Sequence, residues 1–120
     1  MNSSVPTKHV VAVVKHQKDT LRALEMFNSV RKDEGFKHNV LTYKCMIEKL
    51  GYHGKFEVME DVMAKMRGEI DYALMEGVYI SAVRSYGRKR KIQESIDVFE
   101  RMDFYNCEPS VQAYNGIMNI

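Results

Sequence analysis

Apolar side chains recur along this chain at the three- and four-residue spacing of one helix face, and the run returns every 36 residues. Each run holds, in order, a small residue or Met, then an acid, then an aliphatic residue or Met, then Phe or Met, and finally a closing Val or Met. The copies are Ala23, Glu25, Met26, Phe27, Val30; Met59, Asp61, Val62, Met63, Met66; and Ser95, Asp97, Val98, Phe99, Met102.

A second helical pattern repeats in register with the first. Tyr43, Tyr79 and Tyr114 are each followed by a small residue and two apolar residues. Between the two patterns, Gly51 and Lys55 match Gly87 and Lys91, which marks a hinge in each copy. A period of 35–36 residues built from two helices is typical of an α-solenoid, in which each unit buries its apolar face against its neighbours.

The sequence therefore predicts an all-α solenoid of helix-turn-helix repeats, with about three units and the start of a fourth. We expect an irregular first unit at 1–39, further units at 40–75 and 76–110, and the first helix of a truncated unit at 111–120. The final helix stops soon after Tyr114, so we expect the chain to be a piece of a longer protein. The predicted helices are Pro6–His16, Thr20–Arg31, Leu41–Tyr52, Phe56–Arg67, Gly77–Arg88, Ile92–Asp103 and one that begins near Val111.

Composition narrows the functional classes. The 120 residues are 45% apolar and 28% charged, which suits a folded domain, and a net charge of +2 is low for a dedicated duplex-binding protein. Two cysteines are too few for a disulfide framework and indicate a reducing compartment. No apolar run is long enough to span a bilayer, and no transit peptide is recognisable, so we expect no membrane partner.

The repeats resemble those of the pentatricopeptide repeat family. "VLTYKCMIEKLGYHGKFEVMEDVMAKM" carries the Thr-Tyr pair, the hinge and the closing Met, "YGRKRKIQESIDVFERMDFYNCEPS" carries the next copy, and "VQAYNGIMNI" opens another. The resemblance covers roughly residues 20–120. His38 replaces an expected Pro, Asn106 replaces a Gly, and the second closing loop is degenerate. Tetratricopeptide repeats are disfavoured because this chain has no Trp.

The resemblance implies a single-stranded RNA-binding protein of plant mitochondria or chloroplasts that acts in transcript processing, stabilisation, splicing or translation. In that family the first helices line a groove, two side chains per repeat read one base, and apolar residues of adjacent units sandwich it. The implied base-reading candidates are Lys44, Ile80 and Asn115, with Asn39, Ser110 and either Leu74 or Met75 as closing residues. The implied sandwich candidates are Leu41, Gly77 and Gln112.

The run "RKRK", Arg88, Lys89, Arg90 and Lys91, is the one concentrated positive feature of the sequence. It contacts RNA phosphate in one interpretation and is a solvated loop in the other. Lys44 can only donate hydrogen bonds, Ile80 cannot form them through its side chain, and Gly77 has no side chain to stack. These residues leave open a scaffold that binds protein partners, and a fragment with no tight binding of its own.

The remaining candidates favour structural roles. The four histidines do not cluster with cysteines or acids, so we predict surface or loop positions and no metal site. Cys45 and the repeated tyrosines occupy helix-packing positions, and the methionines at repeat positions, Met26 among them, are predicted to be core. No set of acids suited to catalysis and no Gly-rich phosphate loop occurs, so we expect no enzyme activity, no cofactor and no small-molecule substrate.

Overall fold

The computed structural model describes residues 6–33, 36–104 and 115. Within these ranges the chain forms six α-helices and no strand, as the sequence predicts. The helices are α1 (Thr7–His16), α2 (Thr20–Asp33), α3 (Val40–Tyr52), α4 (Phe56–Arg67), α5 (Glu76–Arg88) and α6 (Ile92–Phe104). The predicted last helix, from Val111, lies outside these ranges except for Asn115, which is helical.

Consecutive helices pair into hairpins that stack side by side. Helix α3 packs against α1 on one side and α5 on the other, so the first helices of the hairpins form one row. The second helices form another row with polar links between them: Lys65 Nζ donates to Asn28 Oδ1 at 3.2 Å, and Arg101 pairs with Glu60. This arrangement is an α-solenoid. The unit boundaries proposed from the sequence remain a prediction.

The apolar core lies between the two rows. Tyr43, Met46, Ile47 and Leu50 of α3 are fully buried, and the methionines at repeat positions of α4 and α6, which are Met59, Met63, Met66 and Met102, are buried as predicted. Met26 is an exception: its side chain is 38% exposed. Helix α2 turns Ala23 and Phe27 inward, and the position next to Phe27 therefore points about 100° away from the core.

The hinges of the second and third hairpins have the same backbone conformation. Gly54 has φ 72° and Arg90, 36 residues later, has φ 63°. The next amide in each hinge, that of Lys55 or Lys91, donates to the carbonyl five residues earlier at 2.8 and 2.9 Å. These bonds close helices α3 and α5 in the way left-handed C-terminal caps usually do. Gly54 and Arg90 supply the left-handed residue of each hinge, and both lie within the segments that the matched pairs Gly51–Lys55 and Gly87–Lys91 mark in the sequence.

Gly51 has a packing role. It lies in the last turn of α3 and faces Ser85 of α5. A Cβ built on Gly51 would lie 2.6 Å from Ser85 Cβ and closer still to Ser85 Oγ. A residue without a side chain is therefore required for the two first helices to approach at this point.

The connection between α4 and α5 contains a 3-10 turn at Tyr72–Leu74. The Asp71 carboxylate accepts a hydrogen bond from Ala73 N at 3.0 Å, which opens this turn. Leu74 is largely exposed and Met75 is fully buried. Of the two alternative closing residues, only Leu74 therefore presents its side chain to solvent.

His38 lies in a loop, as predicted, but its side chain is buried. Its ring stacks on Phe27 with 3.7 Å between centroids, Nε2 donates to Phe27 O at 2.7 Å, and Nδ1 lies 2.9 Å from Thr42 Oγ1. The histidine thus ties the loop before α3 to α2. In the described part of the chain, no three His, Cys, Asp or Glu side chains are grouped to hold a metal ion.

Candidate nucleic-acid interface

A groove of about 490 Å³ runs between α3 and α5 on the row of first helices. Because the two helices repeat the same register, the groove is lined by pairs of positions 36 residues apart. These are Cys45 and Ser81, Glu48 and Arg84, Lys49 and Ser85, and Tyr52 and Arg88, with Lys15 of α1 and His53 of the hinge at its edges.

The groove carries net positive charge. Lys15, Lys49, Arg84 and Arg88 carry positive charge, and Glu48 is the only acid among the described residues of the lining. The Glu48 carboxylate accepts a hydrogen bond from Ser81 Oγ at 2.8 Å and lies 3.9 Å from Lys44 Nζ. The acid is therefore partly compensated locally, which leaves the cations to determine the potential of the groove.

The implied base-reading and sandwich residues Lys44 and Gly77 meet at the amino-terminal end of the same two helices. A Cβ built on Gly77 would lie 3.9 Å from Lys44 Cε. The Lys44 side chain is 43% exposed, and Leu41, one turn earlier on α3, is 60% exposed. Three candidates from the sequence thus belong to one accessible part of the row of first helices.

Two other candidates are engaged in the fold. Ile80 is only 5% exposed and belongs to the apolar core. Asn39 caps α3: its Oδ1 accepts from Leu41 N at 3.0 Å and Thr42 N at 3.1 Å, and its Nδ2 donates to Thr7 Oγ1 at 2.9 Å. Asn115 is helical and exposed, whereas Ser110 and Gln112 lie outside the described residues.

The basic run separates into different surroundings. Arg88 lines the groove, and its Nη2 donates to Ser85 Oγ at 3.2 Å. Lys89 and Arg90 are exposed on the hinge turn. Lys91 faces another cavity, whose lining includes four acids, and its Nζ lies 6.0 Å from the Phe56 ring centroid. Of the four predicted phosphate contacts, Arg88 is the one that lines the groove.

The sequence reasoning missed Lys15, Lys49, Arg84 and Tyr52. The missing signal was the repeat itself. Extending the 36-residue alignment from the tyrosines towards the hinge brings Glu48, Lys49 and Tyr52 onto Arg84, Ser85 and Arg88. These positions lie three or four residues apart, on the same helix face as Cys45 and Ser81.

Cys45 occupies a helix-packing position, as predicted. Its side chain is buried, with Sγ 3.8 Å from Val11 O. Burial raises the pKa of the Cys45 thiol above its ordinary value, which favours the unreactive protonated form.

Comparison with known proteins identifies the repeats. A PPR repeat model matches residues 41–69, and a pentatricopeptide repeat domain model matches residues 77–120. Together the two matches cover more than half of the chain. This chain belongs to the pentatricopeptide repeat family. The proteins of this family are in general RNA-binding repeat proteins of organelles without enzymatic activity.

The relatives are plant pentatricopeptide repeat proteins. One pentatricopeptide repeat-containing protein of Arabidopsis thaliana is 59% identical over 113 residues, which are 94% of this chain and 15% of the relative. A second, from the same plant, is 26% identical over 97% of this chain and 17% of its own length. A third, named mitochondrial, is 27% identical over 87% of this chain. The chain therefore spans less than a fifth of the length of the first two pentatricopeptide repeat proteins.

None of the helices in residues 6–33 and 36–104 combines the length and apolar character needed to cross a bilayer.

Proposed function

We propose that this pentatricopeptide repeat chain binds single-stranded RNA along the row formed by α1, α3 and α5. The observation that carries the proposal is the cationic groove between α3 and α5. The groove lies between the same two helices as Lys44 and Gly77, the positions at which the family resemblance places a base. A strand running along the first helices would therefore meet base-contacting positions and phosphate-contacting positions on the same surface.

Different residues on this surface would contact the phosphates and the bases of the RNA. Lys49, Arg84 and Arg88 offer charged donors to the negative backbone, which supplies affinity without regard to sequence. Lys44 donates only, so it would favour a base edge rich in acceptors. Because Ile80 is buried and the Asn39 amide caps α3, this part of the chain would read few bases. The binding would thus depend mainly on charge.

The cellular role follows from the family. For the protein that contains this chain, we expect processing, stabilisation, splicing or translation of organelle transcripts. Several relatives are named mitochondrial, which favours the mitochondrion over the chloroplast.

The test is a salt titration of RNA binding. Fluorescence anisotropy of a labelled single-stranded oligouridine should give a dissociation constant that rises steeply with salt, since each neutralised phosphate contributes about 0.7 to the slope of log K against log salt. Arg84→Glu should weaken binding about ten-fold and lower that slope by about 0.7 to 1. Duplex RNA should bind more weakly, because its paired bases cannot reach Lys44.

The matched control is Lys65→Glu, the same charge reversal on the second row of helices, which should leave binding within two-fold of the parent chain. Binding that is indifferent to both salt and Arg84→Glu would refute the phosphate role. Absence of any RNA binding would favour a protein partner instead.

A further inference from the structure

Tyr52 is an aromatic residue that lies at the surface and outside the apolar core. Its side chain is 65% exposed, more than any other large apolar side chain among the described residues. Its equivalent 36 residues later is Arg88, and both residues lie in the last turn of a first helix. The equivalent position is thus aromatic at the end of α3 and cationic at the end of α5.

The surroundings of Tyr52 are cationic and accessible. The Arg88 guanidinium carbon lies 6.0 Å from the centroid of the ring, and the His53 ring meets Tyr52 edge to face at 5.2 Å. Lys49 and Arg84 line the same groove. Packing does not account for this residue, because an aromatic ring left in water gains little of the free energy that burial would provide.

An exposed aromatic ring among cationic side chains suits a nucleotide within an RNA strand. A nucleobase stacks on an aromatic face, and the phosphates on either side of that base are attracted to nearby Lys and Arg side chains. A free phosphate would use the cations but not the ring. Stacking on Tyr52 would also supply contact area that the Leu41 and Gly77 pair lacks, because Gly77 has no side chain.

From this placement, and resting on the proposed RNA binding, we infer that Tyr52 is a stacking platform for one base at the hinge end of the α3–α5 groove. The neighbouring Arg88 and Lys49 hold the flanking phosphates. The contact is tolerant of sequence, because every base has a stacking face. It adds a base-contacting position to the second unit, about two helical turns away from Lys44 on α3.

The test compares two probes on the whole chain: a labelled single-stranded oligouridine, and an abasic oligomer of equal length that keeps the sugar-phosphate backbone. Tyr52→Leu should weaken binding of oligouridine about ten-fold, within the range that one base–aromatic stack contributes. The same variant should bind the abasic oligomer as the parent chain does. Tyr52→Phe keeps the ring and should retain parental affinity for both probes.

The outcomes separate this inference from the proposed function. Salt-dependent binding of both probes with no effect of Tyr52→Leu, or with equal losses on both, would overturn the stacking role and leave RNA binding intact. No salt-dependent binding of either probe would overturn both. Arg84→Glu, which should weaken both probes alike, shows that the abasic oligomer reports phosphate contact.

Discussion

Replacement of Gly51 by valine is expected to lower the free energy of unfolding by about 3 kcal/mol, the upper part of the usual range for overpacking. The new Cβ would overlap Ser85 Cβ and Oγ on the facing helix, and Met59 Sδ would lie 3.2 Å away. Ser85 is itself buried, so it cannot swing into solvent. Helices α3 and α5 must therefore move apart at this contact. Urea unfolding followed by circular dichroism measures the loss.

A pair of substitutions at Gly51 and Ser85 tests whether the contact between α3 and α5 causes this loss of stability. Gly51→Ala should cost about 2 kcal/mol, and Ser85→Gly about 1 kcal/mol through helix propensity. The double variant moves the small residue to the other helix and should be more stable than the sum of the two losses by at least about 1 kcal/mol. Gly77→Ala is the matched control and should be neutral or slightly stabilising, because its Cβ has room. Strict additivity of the pair would rule out the helix contact.

Replacement of Glu60 by glutamine is expected to cost about 2 kcal/mol of stability at neutral pH. The Glu60 carboxylate on α4 accepts two hydrogen bonds from Arg101 of α6, at 2.8 and 3.0 Å, and one from Tyr86 Oη of α5 at 2.6 Å. Three helices from two hairpins thus meet at one half-buried carboxylate. Glutamine keeps the size but loses the charge and presents an amide to the guanidinium. Chemical unfolding at about pH 7 measures the effect.

The same network predicts how stability depends on pH. Burial by itself would raise the pKa of Glu60, but hydrogen bonds from Arg101 and Tyr86 and the charge of Arg101 outweigh it, so the pKa lies below its ordinary value of 4.5. A carboxyl group with a lowered folded-state pKa stabilises the fold above its unfolded-state pKa. That contribution is complete at neutral pH and is lost as pH falls below about 4.5 through the folded-state value.

Glu60→Gln should therefore flatten the acid limb of the stability profile as well as lower its plateau. Asp61→Asn, an exposed neighbour on α4, is the control and should change neither by more than about 0.5 kcal/mol. A parental acid limb in the Glu60→Gln chain would show that another carboxyl group produces the slope. Burial and the hydrogen bond to Glu60 raise the pKa of Tyr86, so this phenol stays protonated as a donor throughout that range.

The helices and their stacking could be predicted from the sequence because the same apolar helix face recurs in each repeat. The six described helices begin and end within two residues of the predicted bounds. Each copy corrected the register of the others, which a single amphipathic segment cannot do. The degenerate closing loop was harder, since its turn depends on one Asp71 side chain and carries no Gly-Pro signal.

The sequence does not show which residues contact one another across helices. Gly51 marks a hinge in the sequence and its packing role is seen only when α5 is placed against it, and His38 looks like an ordinary loop histidine until Phe27 stacks on it. Ile80 occupies a base-reading position by alignment, yet its side chain is drawn into the core. These outcomes depend on contacts between residues 11 to 34 positions apart in the chain, which a local pattern does not specify.

Only part of the candidate interface could be predicted from the sequence, because its residues come from two helices that are distant in the chain. Lys44 and Gly77 followed from the family resemblance, and Arg88 from its place in a basic run. Lys49 and Arg84 are isolated charges in the sequence and become a single feature only when α3 and α5 lie side by side. Surface charge patterns that span two helices are visible only after the register between those helices is known.

Nuclear magnetic resonance mapping locates the RNA-binding face directly. A labelled sample of the chain would be titrated with single-stranded oligouridine while the backbone amide signals are followed. We expect the largest shifts on α3 and α5, at Lys44, Lys49, Arg84 and their neighbours, with little change at Lys65 on α4. Shifts confined to the second row of helices, or no shifts at saturating RNA, would contradict RNA binding along the first helices.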